Sequence, residues 1–214
     1  MSDFDRSPDG LAFSLAVQAA QDRLGSRPQY ARAQWPIDIS PDLEAFISAQ
    51  RSVFLATASA EGQPYVQHRG GPPGFLKVLD SRSIGMADLR GNGQYISLGN
   101  LSENDRVELF LIDYAHRRRV KIWGRARMVE DDPDLVARLM PDAMRGRAER
   151  AFLIEVEAWD VNCPQHIPQR FEAEDVAAAL AEKDRRIDEL EREIEGLRSR
   201  FPNWEGCGDA LWET

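Results

Sequence analysis

RVELFLIDYAHRRRVKIWGRARMV, from Arg106 to Val129, decides the fold. Its first part alternates apolar and polar residues and is rich in aliphatic and aromatic side chains. Its second part does the same: Val120 and Ile122 share one face, while Arg119, Lys121 and Trp123 share the other. A period of two marks strands with one buried face. The polar run between them reads as a hairpin connection, so this stretch predicts two antiparallel strands.

Working outward, the same signal recurs at short intervals. SVFLATAS (Ser52–Ser59) reads as a strand, AEGQ (Ala60–Gln63) as a turn carrying Gly62, and PYVQHRG (Pro64–Gly70) as the returning strand. GFLKVLD and SIGMADL give two more, YISLGNL (Tyr95–Leu101) a short strand or turn, and AFLIEVEAWDV a last strand. Helices stand at the margins. LAFSLAVQAAQDRLG places Phe13, Val17, Ala20 and Leu24 at helical spacing with Gly25 as cap. SPDLEAFISAQ opens on Ser40 and Pro41, a helix start, and DDPDLVARLM reads as another with Pro133 near its start. Helices do not alternate with strands, which argues against a doubly wound α/β fold. The pattern predicts a mainly β domain with flanking helices, a closed or split barrel, with a sandwich as the alternative.

The end of the chain changes period. Leu180, Ile187, Ile194 and Phe201 recur every seven residues, Leu190 and Leu197 fill the alternate seam, and Lys183 interrupts it. This predicts a long helix over 172–201 that either pairs as a coiled coil or lies on its own domain. We divide the chain into a helical extension (1–40), a barrel domain (41–171), the long helix (172–201) and a tail (202–214).

Composition narrows the function. A net charge of −9 disfavours nucleic acid and anionic membrane surfaces as partners. Two cysteines, Cys163 and Cys207, give no disulfide framework. With no N-terminal signal pattern, the expectation is a reducing, cytoplasmic location. Cys163, before a proline, reads as a small buried residue. No phosphate-binding loop, nucleophile elbow or dinucleotide fingerprint occurs. The histidines (His68, His116, His166) lack metal-ligand spacing with the cysteines, so no metal is expected. The charge is uneven, however. HRRRVKIWGRAR (His116–Arg127) is basic inside an acidic protein, which suits a local site for a small anion.

The broken strand QHRGGPPGFLKVLD (Gln67–Asp80) fits that reading. Gly70, Gly71 and Gly74 would let backbone N–H groups approach a ligand, and Pro72 and Pro73 would stiffen the connection. Arg69 and Lys77 would pair with phosphate.

Four pieces in order carry a resemblance: GQPYVQHRGGPPGFLKVLD, GNGQYISLGNLSENDRVELFLIDY, RRRVKIWGRARMVEDDP and WDVNCPQHIPQRF. Over about Gln50 to Phe171 the chain resembles the pyridoxamine 5′-phosphate oxidase-related flavoproteins. The resemblance implies an FMN-binding split β-barrel, a homodimer, and FMN at the subunit interface. It implies cofactor contacts from Gln67, His68, Arg69 and Lys77, and from Asp88, Asn92, Gln94 and Ser97. It implies that Arg118, Arg119 and Lys121 reach the flavin from the partner subunit. Asn162, Gln165 and His166, in NCPQHI, are expected beside the ring or substrate. His166 and His68 are the candidate proton-transfer groups. The oxidases' C-terminal Arg-x-His substrate motif has no match here, which argues against pyridoxamine phosphate oxidation itself. The implied function is an FMN-dependent oxidoreductase acting on a small molecule. The alternatives are a non-catalytic flavin-binding or carrier module, and a flavin-free barrel for another anionic ligand.

Overall fold

The computed structural model describes residues 10–201; residues 1–9 and the tail 202–214 lie outside them. The chain divides into two compact units, one ending at Pro168 and one beginning at Gln169.

The first unit is built on seven antiparallel strands: β1 (Ser52–Ala58), β2 (Pro64–Gly70), β3 (Leu76–Asp80), β4 (Ser83–Leu89), β5 (Arg106–Asp113), β6 (Arg118–Val129) and β7 (Ala148–Asn162). They form one sheet in the order β2-β1-β5-β6-β7-β4-β3. The opening hairpin is β5 and β6, paired from Arg106–Arg125 to Asp113–Arg118. β2 and β4 stand first and sixth in that order. Yet Arg69 on β2 bonds Asp88 on β4 at 2.6 Å, so the sheet rolls round on itself. This is the split barrel that the alternation predicts.

Alternation also places the core. Val53 and Leu55, Leu109 and Leu111, Val120 and Ile122, Ile84 and Met86, and Phe152 and Ile154 all point inward and are buried. Helix α3 (Pro41–Ala49) adds Leu43, Phe46 and Ile47 to the same cluster. Each such side chain contributes about 1.5–3 kcal/mol by leaving water. Ser40 caps α3 by accepting from the Leu43 N–H, and Pro41 occupies its first turn. On the other face of β4 and β7, Ala87 and Ala151 pack against Leu139 of α5 (Pro133–Leu139).

β6 and β7 slip register between Trp123 and Gly124. There a Cβ on Gly124 would stand 2.2 Å from the Glu155 carbonyl oxygen, so only glycine permits the approach.

The N-terminal helix α1 (Leu15–Leu24) ends on left-handed Gly25, as predicted. Phe13 lies before it and meets Tyr30 and Trp35 edge-on. The connection contains one short helix, α2 (Arg27–Tyr30). YISLGNL is neither strand nor turn but the body of helix α4 (Ile96–Glu103). Its polar residues decide this through contacts distant in sequence: Asn100 donates to the Thr57 hydroxyl and Ser97 to Gln67.

The second unit is helix α6 (Ala173–Arg200), the long helix predicted, with no buried residue.

Candidate functional site

A cleft gathers six of the residues that the sequence nominates, four of them on strands and a helix and two, Asn92 and Gln94, on the connection before α4. Gln67 and Arg69 come from β2, Asp88 from β4 and Ser97 from α4. Asp88 is 6 % exposed and holds two guanidinium groups, Arg69 at 2.6 Å and Arg150 at 2.8 Å. Gln67 Oε1 accepts from Arg69 Nη2 at 3.2 Å and from the Ser97 hydroxyl at 3.0 Å. Below, Arg69 lies over the Phe152 ring at 5.4 Å; beside it, Arg150 lies over Tyr95 at 5.2 Å. Burial works to lower the Arg150 pKa, but the bond to Asp88 and the charges of Asp88, Glu149 and Glu130 together hold it above its ordinary value.

Sequence reasoning missed Arg150 and Tyr95. Arg150 carried one signal: an arginine inside an apolar strand needs a buried acid.

The rim charges nearly cancel. Arg150 also faces Glu130 and Glu149, and Arg90 faces Glu149. An anion here would therefore be held by directed donors rather than by net charge. Two donor sets are present. Arg69 Nε is buried and has no hydrogen-bond partner. The first turn of α4 also opens on the cleft, and its N-cap residue, Tyr95, makes no side-chain cap. Free N–H groups at a helix N-terminus suit phosphate. Gly91, Asn92, Gly93 and Gln94 complete the wall; Asn92 and Gln94 are exposed, and Asn92 Oδ1 accepts from the Gln94 N–H. The cleft holds about 60 Å³. That is below the range of a whole small-molecule site, ~300–1,000 Å³, and closer to a phosphoryl group.

A second group of nominated residues lies on the outer face of the sheet. His68, Phe54, Phe110, Lys121 and Asp160 form one cross-strand row. Arg119 and Asn162 pair directly across β6 and β7. His68 Nε2 meets the Ser52 hydroxyl at 2.6 Å, and its ring packs edge-on to Phe54. Lys121 lies 5.9 Å from the Trp123 ring centre, and Trp123 stacks on Trp35 at 4.5 Å. Arg119 Nε and Asn162 Oδ1 are buried without partners, a donor and an acceptor on neighbouring strands. Glu108 stands on this face as well. Burial raises its carboxyl pKa and the Lys121 charge partly opposes this.

Other nominated residues are placed apart. Lys77 pairs with Gly85, so it lies on the opposite face of the sheet from Asp88, and its ammonium donates to the Arg138 carbonyl at 2.6 Å. Arg118 bonds Asp42 at 2.5 Å and covers the Phe46 ring, which ties β6 to α3. Gln165 and His166 are exposed after β7, with His166 in the left-handed region (φ 64°). Cys163 is exposed, not buried as expected, because it follows the last strand residue rather than facing the core.

Two of the three glycines of GGPPG do not offer free donors. The Gly71 N–H bonds the Arg51 carbonyl, and the Gly74 N–H bonds that of Ser48. A Cβ on Gly71 would collide with Phe75 at 2.6 Å. The segment is a tight turn that buries Phe75, 2 % exposed, and returns the chain to β3.

Among the described residues no cluster of histidine, cysteine and carboxylate groups could hold a metal, and no helix is long and apolar enough to cross a membrane.

The Group A Streptococcus protein HupZ is 17% identical over 62% of this chain and 99% of its own, with a TM-score of 0.49. An FMN-binding protein from Syntrophomonas wolfei is 10% identical over 69% of this chain and 95% of its own, with a TM-score of 0.46. An F420 reductase is 17% identical over 55% of this chain and 94% of its own, with a TM-score of 0.41. No curated protein matches the sequence. The family pattern described as pyridoxamine 5′-phosphate oxidase matches residues 39–163. That span is more than half of the chain and contains the whole barrel, and by it the chain belongs to the pyridoxamine 5′-phosphate oxidase family.

Proposed function

We propose that this protein binds FMN and uses it as an oxidoreductase on a small molecule. The observation that carries the reading is the donor-rich cleft at Arg69. It offers an unpartnered buried N–H, an uncapped helix start and the Ser97–Gln67 pair in a space of phosphoryl size. Bound FMN would supply the two-electron chemistry. Arg69 and the first turn of α4 would hold its phosphate. Asp88 would keep the Arg69 guanidinium aimed by fixing the other side of it.

The cleft is too small for a three-ring system. The outer-face group of His68, Arg119, Lys121 and Asn162 lies on the other side of the same sheet. This arrangement suits a ligand bound between two copies of the chain, one supplying the cleft and the other supplying the face. There the Lys121 ammonium and the Arg119 guanidinium would stabilise negative charge on a reduced ring. Asn162 Oδ1 would accept a ring N–H. His68 and His166 would be the proton carriers.

The test is an absorption spectrum of the purified protein, before and after excess FMN and gel filtration. Flavin bands should survive filtration in the native protein and be reduced in Arg69→Ala. A native protein that retains no flavin overturns the cofactor and the oxidoreductase reading together.

A further inference from the structure

Helix α6 carries an apolar seam that is exposed among the described residues. Leu180, Ile187, Leu190, Ile194, Leu197 and Phe201 are all exposed; Leu190, the least exposed of them, is still 40 % open. We propose that the seam is covered by the same helix of a second copy, in a parallel, in-register two-stranded coiled coil.

Three observations select that occupant. First, the seam alternates Ile187 and Ile194 with Leu190 and Leu197. In heptad terms isoleucine stands at a and leucine at d, the arrangement that favours parallel pairs over trimers and tetramers.

Second, the flanking charges favour that orientation over the antiparallel registers that keep Ile187 opposite a seam leucine. In a parallel pair, each g position faces the e position five residues on in the partner. Arg186 then faces Glu191, and Glu193 faces Arg198. Both pairs attract, and two-fold symmetry repeats each of them. Antiparallel pairing sets e against e and g against g. Aligning Ile187 with Leu190 then puts Glu191 against Asp184. Aligning Ile187 with Leu197 puts Glu191 against Glu191 and Arg186 against Arg200. Each of these two antiparallel registers also holds an attracting pair, Arg186 with Glu193 in the first and Asp184 with Arg198 in the second, but each sets like charges together, which neither flanking pair of the parallel one does.

Third, the one break in the seam is tolerable in the parallel pair. Lys183 at d lies beside the e position of the other helix, which is Asp184. Lysine at this layer costs stability but brings its own counter-charge.

In the single chain Arg186 rests on Glu189 at 2.9 Å, an exposed contact of small value that leaves it available to the partner helix. A seam of about three heptads is marginal by itself. A second contact between the same two chains would raise the effective concentration of one helix around the other. The proposal does not depend on flavin: it concerns a surface that the cleft does not use.

The experiment is disulfide trapping in the full chain, with Cys163 and Cys207 replaced by serine. Leu197→Cys and Leu190→Cys lie on the seam. Ser199→Cys lies on the outer face of the same helix. Cross-linking at a seam position should be at least about ten-fold faster than at Ser199→Cys, because a disulfide needs Cα atoms within about 7 Å. Arg186→Glu should slow trapping at Leu197→Cys, and adding Glu191→Arg should restore it. Equal rates at seam and outer positions overturn the proposal. So does trapping that is indifferent to Arg186→Glu, since the orientation rests on that pair.

Discussion

Asp88 compensates two guanidinium groups at once, so it is the residue on which the cleft depends. Removing it would take the carboxylate from Arg69 over Phe152 and leave Arg150, over Tyr95, only its longer contacts to Glu130 and Glu149. Asp88→Ala should cost about 2–4 kcal/mol in urea unfolding, the range for a half-broken buried ion cluster. Arg69→Ala should weaken FMN binding by about 1–3 kcal/mol, the worth of a charge-assisted contact, read by flavin titration. Lys77 is the contrasting case. The sequence places it near Arg69 along the chain, but the pleat sends it to the opposite face, where it bonds the end of α5. Spacing alone did not reveal this, because the turn between Gly71 and Phe75 changes which face the next strand presents. Glu108 makes a pH prediction. Its folded carboxyl pKa is raised above the ordinary 4.5 by burial. The folded state therefore holds the proton longer than the unfolded state does as pH rises. Stability from this group is fully present below 4.5 and is lost as pH rises through the raised value. Glu108→Gln should flatten that loss in unfolding curves taken from pH 4 to pH 7.

Helix α3 shows the opposite sign. The Arg118 hydrogen bond and charge hold the Asp42 carboxyl below its ordinary 3.8. That contribution is present above 3.8 and is lost as pH falls through the lowered value. Asp42→Asn should lower stability slightly on the neutral side of the unfolding profile and leave the acid side, where the native carboxyl is protonated, nearly unchanged. The strands β1 to β7 were readable because each buries one face, and burial of one face forces a period of two. Helix α4 was not readable. Tyr95, Ile96 and Leu98 look like strand residues; the segment coils because Ser97 and Asn100 find partners on β2 and β1. The same contacts made half of the cleft invisible, since Arg150 reaches Asp88 only after β7 is laid beside β4. The β6–β7 slip was equally hidden. Gly124→Ala would push a methyl into the Glu155 carbonyl, and it should destabilise the barrel by about 1–3 kcal/mol, measurable as a lowered urea midpoint.

For the molecule as a pair of units, the prediction is separability. A chain ending at Phe171 keeps every residue of the cleft and of the outer face. On the proposed function it should retain FMN with the affinity of the full chain, and a dimer made by the barrel should survive the truncation. Equilibrium sedimentation of both forms measures this. A monomer after truncation would assign the contact to α6. The strand order carries one more consequence. β7 lies between β6 and β4, so the sheet is two separate pieces, β2-β1-β5-β6 and β4-β3, until β7 joins them. On the ribosome, β7 is the last strand to emerge. Until Ala148–Asn162 has left the exit tunnel, β4 and β6 each present a bare hydrogen-bonding edge backed by apolar side chains. Such edges recruit other strands. A stalled nascent chain lacking β7 is thus the form of this protein most in need of a chaperone.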